Sequence, residues 1–424
     1  MSKRTSARCH ALPISAATFC DSAAGLTIAL RDDHGLAEVM APALAEGKRK
    51  MMRQVVLVIF LSALAACGQR GTVTVDPVAR NVGTIEPIFV GTTRALDPAT
   101  GSFGSERSPV LSLARYDISV PPNRAPGEIK WPRKGRAPDP FTEFLTAEDV
   151  IYPSDAEFRR DLNTAMRDEE GPRRRALIFV HGFNNTFAEG LYRIAQLSHD
   201  LDLPRVTVHY SWPSAGQALG YIHDRDSSLY ARDGFEKLFN EVVAAGAQEV
   251  IVVGHSMGAQ LLVESLRQMD IRNPAKLRRN LAAVVLLSPD IDVEVFKSQA
   301  STFGDLPQPF LIFASDKDKA LRLSSFITGQ PNRLGNMSDI SQVSDLEVRV
   351  IDVAAYSSGS GHFTIGDSPE LITLVNNIGS VQAAFDSDNA GRVGLIPGLV
   401  LTAQKATEIV VSPAVAINNE LTKQ

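Results

Sequence analysis

Cysteine is scarce in this sequence, and its scarcity excludes a disulfide scaffold. The 424 residues contain only three cysteines, too few for the disulfide-rich class of secreted domains. The net charge of −5 does not favour a broad nucleic-acid-binding surface. The sequence has no pair of closely spaced histidines or cysteines typical of a metal site, and no glycine-rich lysine loop for nucleotide phosphates. We therefore expect no metal, no cofactor and no nucleic acid.

Long hydrophobic runs are also missing, which excludes a multi-span membrane protein. The apolar run Val55–Ala66 has twelve residues, or about 18 Å as a helix, against a bilayer core of about 30 Å. It follows the basic cluster Lys48–Arg53, an arrangement typical of a signal peptide. The run ends in Ala66-Cys67-Gly68, which resembles a bacterial lipobox. That resemblance implies that Cys67 is acylated and becomes the mature N-terminus; a buried core strand or helix is the alternative.

This interpretation divides the N-terminal part of the chain into three segments. Met51 and Met52 lie where the signal should begin, so residues 1–50 are predicted to be a mis-called start or an extension. Residues 51–66 are then the signal peptide and 67–84 a tether. Without residues 1–66 the net charge changes from −5 to −8, so we expect attachment through acyl chains. Gly68 stands after Cys67 in place of the aspartate that commonly retains such proteins at the inner membrane. The predicted location is therefore the periplasmic face of the outer membrane, in the bacterial cell envelope.

From residue 85 to 380 the chain alternates short apolar runs with helical patterns, as in a mostly parallel sheet. The pattern predicts an α/β fold with eight strands and helices on both faces. The predicted strands are Pro87–Thr93, Tyr116–Val120, Ala176–His181, Val206–Ser211, Glu249–Gly254, Ala282–Leu287, Pro309–Ala314 and Leu346–Val353. The predicted helices are Phe187–Leu201, Leu229–Ala245, Met257–Met269, Val293–Thr302 and Pro369–Ser380. Pro121–Pro140 holds six prolines and is predicted to be a loop; residues 381–424 form a tail without an assigned role.

The motif Gly254-His255-Ser256-Met257-Gly258 follows one predicted strand and opens a helix. This strand-turn-helix context is typical of the Gly-x-Ser-x-Gly nucleophile elbow, in which a tight turn exposes a reactive serine hydroxyl. Flanking glycines are needed because side chains there would collide with the neighbouring strand and helix. Ser256 is therefore the predicted nucleophile. A glycine-flanked turn without catalysis is the alternative.

A second motif, His181-Gly182-Phe183, ends an earlier predicted strand. Acyl transfer needs two N–H donors directed at the tetrahedral oxyanion. One is expected from the backbone of Met257, the residue after the serine, and the other from the backbone of Phe183. His181 itself lies upstream of Ser256 and is expected to shape the loop through hydrogen bonds rather than to act as a base.

The base is found by elimination, because His362 is the only one of eight histidines that follows Ser256. The chain order in α/β hydrolases is serine, acid, histidine. The acid should follow the strand Pro309–Ala314, where both Asp316 and Asp318 occur; Asp318 is preferred because it lies further beyond the strand end. More remote candidates are Asp290 and Asp292, and the losing aspartates are expected to be helix caps or surface charges.

Together these motifs resemble the α/β-hydrolase superfamily, and within it a group of bacterial esterase- or lipase-like hydrolases of undefined substrate. The resemblance covers about Pro87 to Gly379. It rests on His181–Phe187, Ser211-Trp212-Pro213-Ser214, Gly254–Gly258, Ser288-Pro289-Asp290-Ile291-Asp292 and Gly361-His362-Phe363. It implies a Ser-His-Asp hydrolase and leaves the substrate open.

We therefore expect a serine esterase with the triad Ser256, Asp318 and His362, which acts on a small-molecule ester or acyl substrate and contacts the membrane through Cys67. A thioesterase or amidase would use the same groups. A non-catalytic envelope protein on the same fold is the alternative from another class, although such proteins often lack the serine or the histidine. Asp224, Arg225 and Asp226 lie where this fold walls its pocket, but ion pairs or helix capping are the favoured roles. The oligomeric state stays open.

Overall fold

The structure is a computed structural model that describes residues 70–167, 173–203, 206–356, 359–369, 371–372, 398–403 and 406–411. The predicted signal peptide and Cys67 lie outside these residues, as does most of the predicted helix Pro369–Ser380. Within the described ranges, every helix is too short or too polar to span a lipid bilayer.

The described residues form one sheet of eleven strands, in the order β10-β11-β9-β8-β7-β6-β4-β5-β1-β2-β3. The eight consecutive strands from β11 to β1 pair in parallel with one another. At the two ends of the sheet the pairing is antiparallel, between β10 and β11, between β1 and β2, and between β2 and β3. The strands are β1 Thr84–Asp97, β2 Ser102–Val120, β3 Leu145–Ile151, β4 Arg175–Val180, β5 Thr207–Ser211, β6 Glu249–His255, β7 Leu281–Leu287, β8 Phe310–Ala314, β9 Arg349–Asp352, β10 Gly398–Ala403 and β11 Ala406–Val411.

The predicted α/β class is confirmed, but the predicted count of eight strands is wrong. All eight predicted strands are present. Of the three additional strands, β3 and β10 are the two edges of the sheet, and β11 lies between β10 and β9. Edge strands have a neighbour on one side only and do not need the continuous apolar runs of a central strand. The last two come from the tail to which the sequence assigned no role.

The helices pack on both faces of the sheet. They are α1 Asp155–Arg167, α2 Phe187–Asp200, α3 Tyr221–Tyr230, α4 Arg232–Ala244, α5 Met257–Arg272, α6 Pro274–Asn280, α7 Val293–Ala300, α8 Lys319–Thr328 and the short α9 Thr364–Asp367. Side chains alternate between the faces of a strand. In β4, Ile178 and Val180 therefore join the core under α1, α4 and α5, while Leu177 and Phe179 join the core under α2.

The described part of the predicted tether, residues 70–84, lies against the domain rather than apart from it. The amide of Gly71 donates to Glu189 at 3.1 Å, and the amide of Thr74 donates to the Tyr192 hydroxyl at 3.2 Å. Both acceptors are on α2. The chain therefore enters the fold beside the helix that follows the His181-Gly182-Phe183 motif.

Candidate active site

Ser256 occupies the turn between β6 and α5 with a strained backbone. Its φ and ψ are 54° and −124°, a left-handed conformation that a residue other than glycine adopts only when its surroundings impose it. Three backbone hydrogen bonds do so: Ser256 N–H donates to Leu287 O at 3.0 Å, and Ser256 O accepts from Ala259 at 3.0 Å and Asp290 at 3.1 Å. The turn is thus held between β7, α5 and the loop after β7.

The glycines around Ser256 are required by close backbone contacts. A Cβ on Gly258 would lie 2.2 Å from the His181 carbonyl oxygen, and one on Gly254 would lie 2.7 Å from the Cα of Ala259. A Cβ on Gly182 would lie 2.9 Å from the Cβ of Ser256. The loop after β4 therefore lies directly on the serine turn, as the two motifs predicted.

His362 and Asp318 form a hydrogen-bonded pair at the same end of the sheet. His362 Nδ1 lies 2.7 Å from Asp318 Oδ2, and the carboxylate is fully buried. The other carboxylate oxygen accepts from the Leu321 amide at 2.9 Å, so Asp318 is also the N-cap of α8. The Lys319 amide donates to Ser360 O at 2.9 Å and joins the loop of His362 to the start of α8.

His362 contacts the serine turn at His255, the residue before Ser256. The rings of His255 and His362 are 4.9 Å apart, and His255 Nε2 lies 3.4 Å from the His362 carbonyl oxygen. Burial and the neighbouring His362 hold the pKa of His255 well below its usual value, so a neutral ring donates there. Within the described part of the chain, the Ser256 hydroxyl makes no hydrogen bond to His362, a contact that often tightens only when substrate binds.

The backbone N–H groups of Phe183 and Met257 have no acceptor among the described residues. Met257 is fully buried and is the first residue of α5. Buried N–H groups are almost always paired, and helix N-termini favour negative charge. Both predicted N–H donors are therefore unpaired in the described part of the structure.

Residues 154–377 match the family described as "Alpha/beta hydrolase of unknown function (DUF900)". This match covers more than half of the chain.

The chain belongs to that family.

No curated protein matches this sequence significantly. Among solved structures it is similar to a putative hydrolase from Agrobacterium vitis S4, with 11% identity, TM-score 0.32, and coverage of 71% of this chain and 98% of the other. A Pyrococcus furiosus esterase gives 11% identity, TM-score 0.26 and coverages of 76% and 95%. A lipase-esterase related protein from Clostridium acetobutylicum ATCC 824 gives 14%, 0.22, 51% and 93%. At these TM-scores the likenesses carry no argument about activity.

The aspartates that the sequence left as alternatives lie in other surroundings. Asp290 is buried and accepts from the hydroxyls of Tyr221 at 2.8 Å and Ser324 at 2.7 Å, with the Arg333 guanidinium 3.3 Å away. Asp292 is the N-cap of α7, and Asp316 is exposed. Among the described residues, Asp318 is the one carboxylate that contacts the His362 ring.

His181 is enclosed in the core. Its ring stacks on Trp212 with centroids 5.0 Å apart and planes 9° apart, and its nitrogens lie 2.9 Å from Gly182 O and 3.1 Å from Trp212 O. Burial and the positive charge of Arg94 hold the pKa of His181 well below its usual value. A neutral, enclosed ring suits a role in shaping the loop.

Asp224, Arg225 and Asp226 lie on α3 and divide between core and solvent. Asp224 is fully buried and accepts from the Ser214 hydroxyl at 2.5 Å and the Ala215 amide at 2.7 Å. Arg225 and Asp226 are exposed. Asp224 therefore fixes the loop after β5. No group of acidic, histidine or cysteine residues suited to a metal ion occurs in the described ranges.

Sequence reasoning missed Arg94, a buried arginine at the site. It is 1% exposed and donates to the Ser211 hydroxyl at 2.9 Å, the Ser214 carbonyl at 2.9 Å and the Asn185 carbonyl at 3.0 Å; a further bond reaches Gly104 O at 2.8 Å. Burial lowers its pKa to about 9, so it is charged at neutral pH. The one signal in the sequence that could have indicated Arg94 is its position directly after the apolar strand pattern Pro87–Thr93.

Arg94 is connected to the candidate oxyanion loop through Asn185. The Asn185 side-chain amide donates to Gly182 O at 3.2 Å and to Phe183 O at 2.9 Å. These bonds fix the two peptide planes that flank the Phe183 Cα, one of which contains the Phe183 N–H. Arg94 is therefore a positioning residue for this loop.

Proposed function

We propose that this protein is a serine hydrolase that cleaves carboxylic esters, with Ser256 as nucleophile, His362 as base and Asp318 as the group that orients His362. The observation that carries the proposal is the buried Asp318–His362 pair, whose ring lies 4.9 Å from the ring of the residue before Ser256. An aspartate in this role selects the His362 tautomer that accepts a proton at Nε2 and stabilises the imidazolium.

The reaction proceeds in two steps through an acyl-enzyme. Ser256 Oγ attacks the ester carbonyl carbon and its proton passes to His362 Nε2, while the N–H groups of Phe183 and Met257 stabilise the oxyanion. The C–O bond to the alcohol then breaks, and the alcohol leaves with the proton from His362. A water molecule, deprotonated by His362, attacks the acyl-enzyme, and the carboxylic acid is released as Ser256 regains its proton.

Labelling with a fluorophosphonate probe tests the nucleophile. We expect the wild-type protein to be labelled and Ser256→Ala not to be labelled, because the probe reacts only with an activated serine. Asp316→Asn serves as a matched control that alters an exposed residue near the site and should label normally. Equal labelling of wild type and Ser256→Ala would overturn the proposal.

Kinetics on matched substrates test the ester preference. A panel of aryl esters of increasing acyl length, with the corresponding thioester and anilide, should show the highest kcat/KM for an ester. Faster cleavage of the thioester or the anilide would assign the reaction to a thioesterase or an amidase. If the protein hydrolyses none of these substrates and is not labelled by the fluorophosphonate probe, the result would favour a non-catalytic binding protein.

We also propose that the mature protein is anchored in the bacterial cell envelope, on the periplasmic face of the outer membrane, through acylated Cys67. The support is the sequence motif alone, since Cys67 lies outside the described residues. Metabolic labelling with palmitate should be lost in Cys67→Ser. Persistent labelling in that variant would contradict the proposal.

A further inference from the structure

The loop between β2 and β3 contains an exposed basic segment, residues 130–136, with the sequence Lys-Trp-Pro-Arg-Lys-Gly-Arg. We call it the basic loop. Lys130, Arg133, Lys134 and Arg136 are exposed. Lys130 pairs with Glu128 at 3.4 Å, whereas the other three have no ion-pair partner in the described part of the chain. Some other clustered cations of this acidic protein, such as Arg173 and Arg175, are paired with a carboxylate.

The basic loop is held rigidly at its base. The Trp131 ring stacks on Tyr192 of α2, with centroids 5.0 Å apart and planes 9° apart. The Phe144 amide donates to Lys130 O at 3.0 Å. The cations therefore extend outward from a fixed platform.

The basic loop lies where the chain enters the domain. A Cβ on Gly71 would lie 2.5 Å from the Trp131 ring, and Arg70 pairs with Glu189 of α2 at 2.5 Å. Cys67 is three positions before Arg70, and three extended residues span at most about 11 Å. If Cys67 is acylated, the bilayer surface is therefore close to Trp131 and to the unpaired cations beside it.

We infer that the basic loop is a membrane-contact surface that binds anionic phospholipid headgroups. Clustered Lys and Arg beside a membrane anchor bind such headgroups electrostatically, and tryptophan favours the membrane–water interface. The local charge decides this contact, because the negative net charge of the whole chain is screened beyond about 10 Å at moderate salt. The inference does not rest on the proposed hydrolase activity; only the choice of a membrane draws on the proposed acylation of Cys67.

The test uses the proposed mature chain, residues 67–424, carrying Cys67→Ser, so that neither acyl chains nor the predicted signal peptide contribute. Co-sedimentation is measured with vesicles of phosphatidylcholine plus phosphatidylglycerol and with vesicles of phosphatidylcholine alone, at moderate salt. We expect binding to the anionic vesicles only. The triple change Arg133→Gln, Lys134→Gln and Arg136→Gln should weaken binding about a hundredfold, since each cation contributes roughly fivefold at such a surface.

A matched control variant carries Lys237→Gln, Lys276→Gln and Arg279→Gln. These three exposed cations lie on α4 and α6 and have no ion-pair partner in the described ranges. Binding by this variant should stay near that of the parent. Tryptophan fluorescence provides a second measurement. Trp212 is fully buried and Trp131 is the other tryptophan, so anionic vesicles should shift the Trp131 emission to shorter wavelength. Failure of the parent to bind, or equal losses in the two triple variants, would overturn the inference without affecting the proposed activity.

Discussion

Asp318 makes two hydrogen bonds with different consequences, and the change Asp318→Asn separates them. One carboxylate oxygen accepts the Leu321 amide at the N-cap of α8, and the other lies 2.7 Å from His362 Nδ1. Asparagine is as good an N-cap as aspartate, so the free energy of unfolding should change by less than about 1 kcal/mol if the amide oxygen keeps the cap. The amide NH₂ then faces His362 and favours the tautomer with the proton on Nε2, which cannot accept the proton of Ser256.

We therefore expect kcat for an aryl ester to fall by about 10³- to 10⁴-fold in Asp318→Asn, with KM nearly unchanged. Asp318→Ala should lose the same activity and, in addition, about 1 kcal/mol of stability through the lost cap. Steady-state kinetics and urea unfolding of the two variants and of Asp316→Asn provide the measurements. The reasoning is refuted if folded Asp318→Asn keeps kcat within tenfold of wild type, or if Asp316→Asn is the inactive variant.

Three further predictions concern the surroundings of the site. Arg94→Lys should lower kcat by at least tenfold at unchanged KM, because one ammonium cannot span the acceptors that the guanidinium reaches; a lower Tm with normal kcat would instead show a purely structural role. Gly258→Ala should cost more than about 3 kcal/mol in urea unfolding because its Cβ would collide with the His181 carbonyl, whereas Gly104→Ala, whose Cβ meets nothing nearer than 3.8 Å, should be tolerated; equal losses would contradict the contact. Burial lowers the pKa of His209 from 6.5 to about 3, so the unfolded chain binds an additional proton between these pH values. The stability from His209 is therefore complete above pH 6.5 and is lost at about 1.4 kcal/mol per pH unit towards pH 3. His209→Leu should make the decline of unfolding free energy with acid shallower, and an unchanged slope would exclude this contribution.

Much of the fold follows from local sequence patterns. Central parallel strands are buried on both faces, so they appear as continuous apolar runs, and each of the eight predicted strands is present. The turn at Ser256 was also predictable, because a serine between glycines at a strand–helix junction has few other structural explanations. The edge strands β3 and β10, and β11 beside β10, were missed because pairing with a neighbour, rather than a distinctive apolar pattern, defines them.

The sequence by itself determined the strand order along the chain, the serine turn and the one histidine that follows it. Only the tertiary structure shows that Asp318, rather than Asp316, contacts His362, since this depends on where α8 begins and which carboxylate faces the ring. Arg94 and Asn185 are 91 positions apart in the chain and meet only because β1 and β4 lie on either side of β5 in the sheet. Local patterns report which residues are buried, whereas the partner of a buried polar group is fixed only when distant segments pack together.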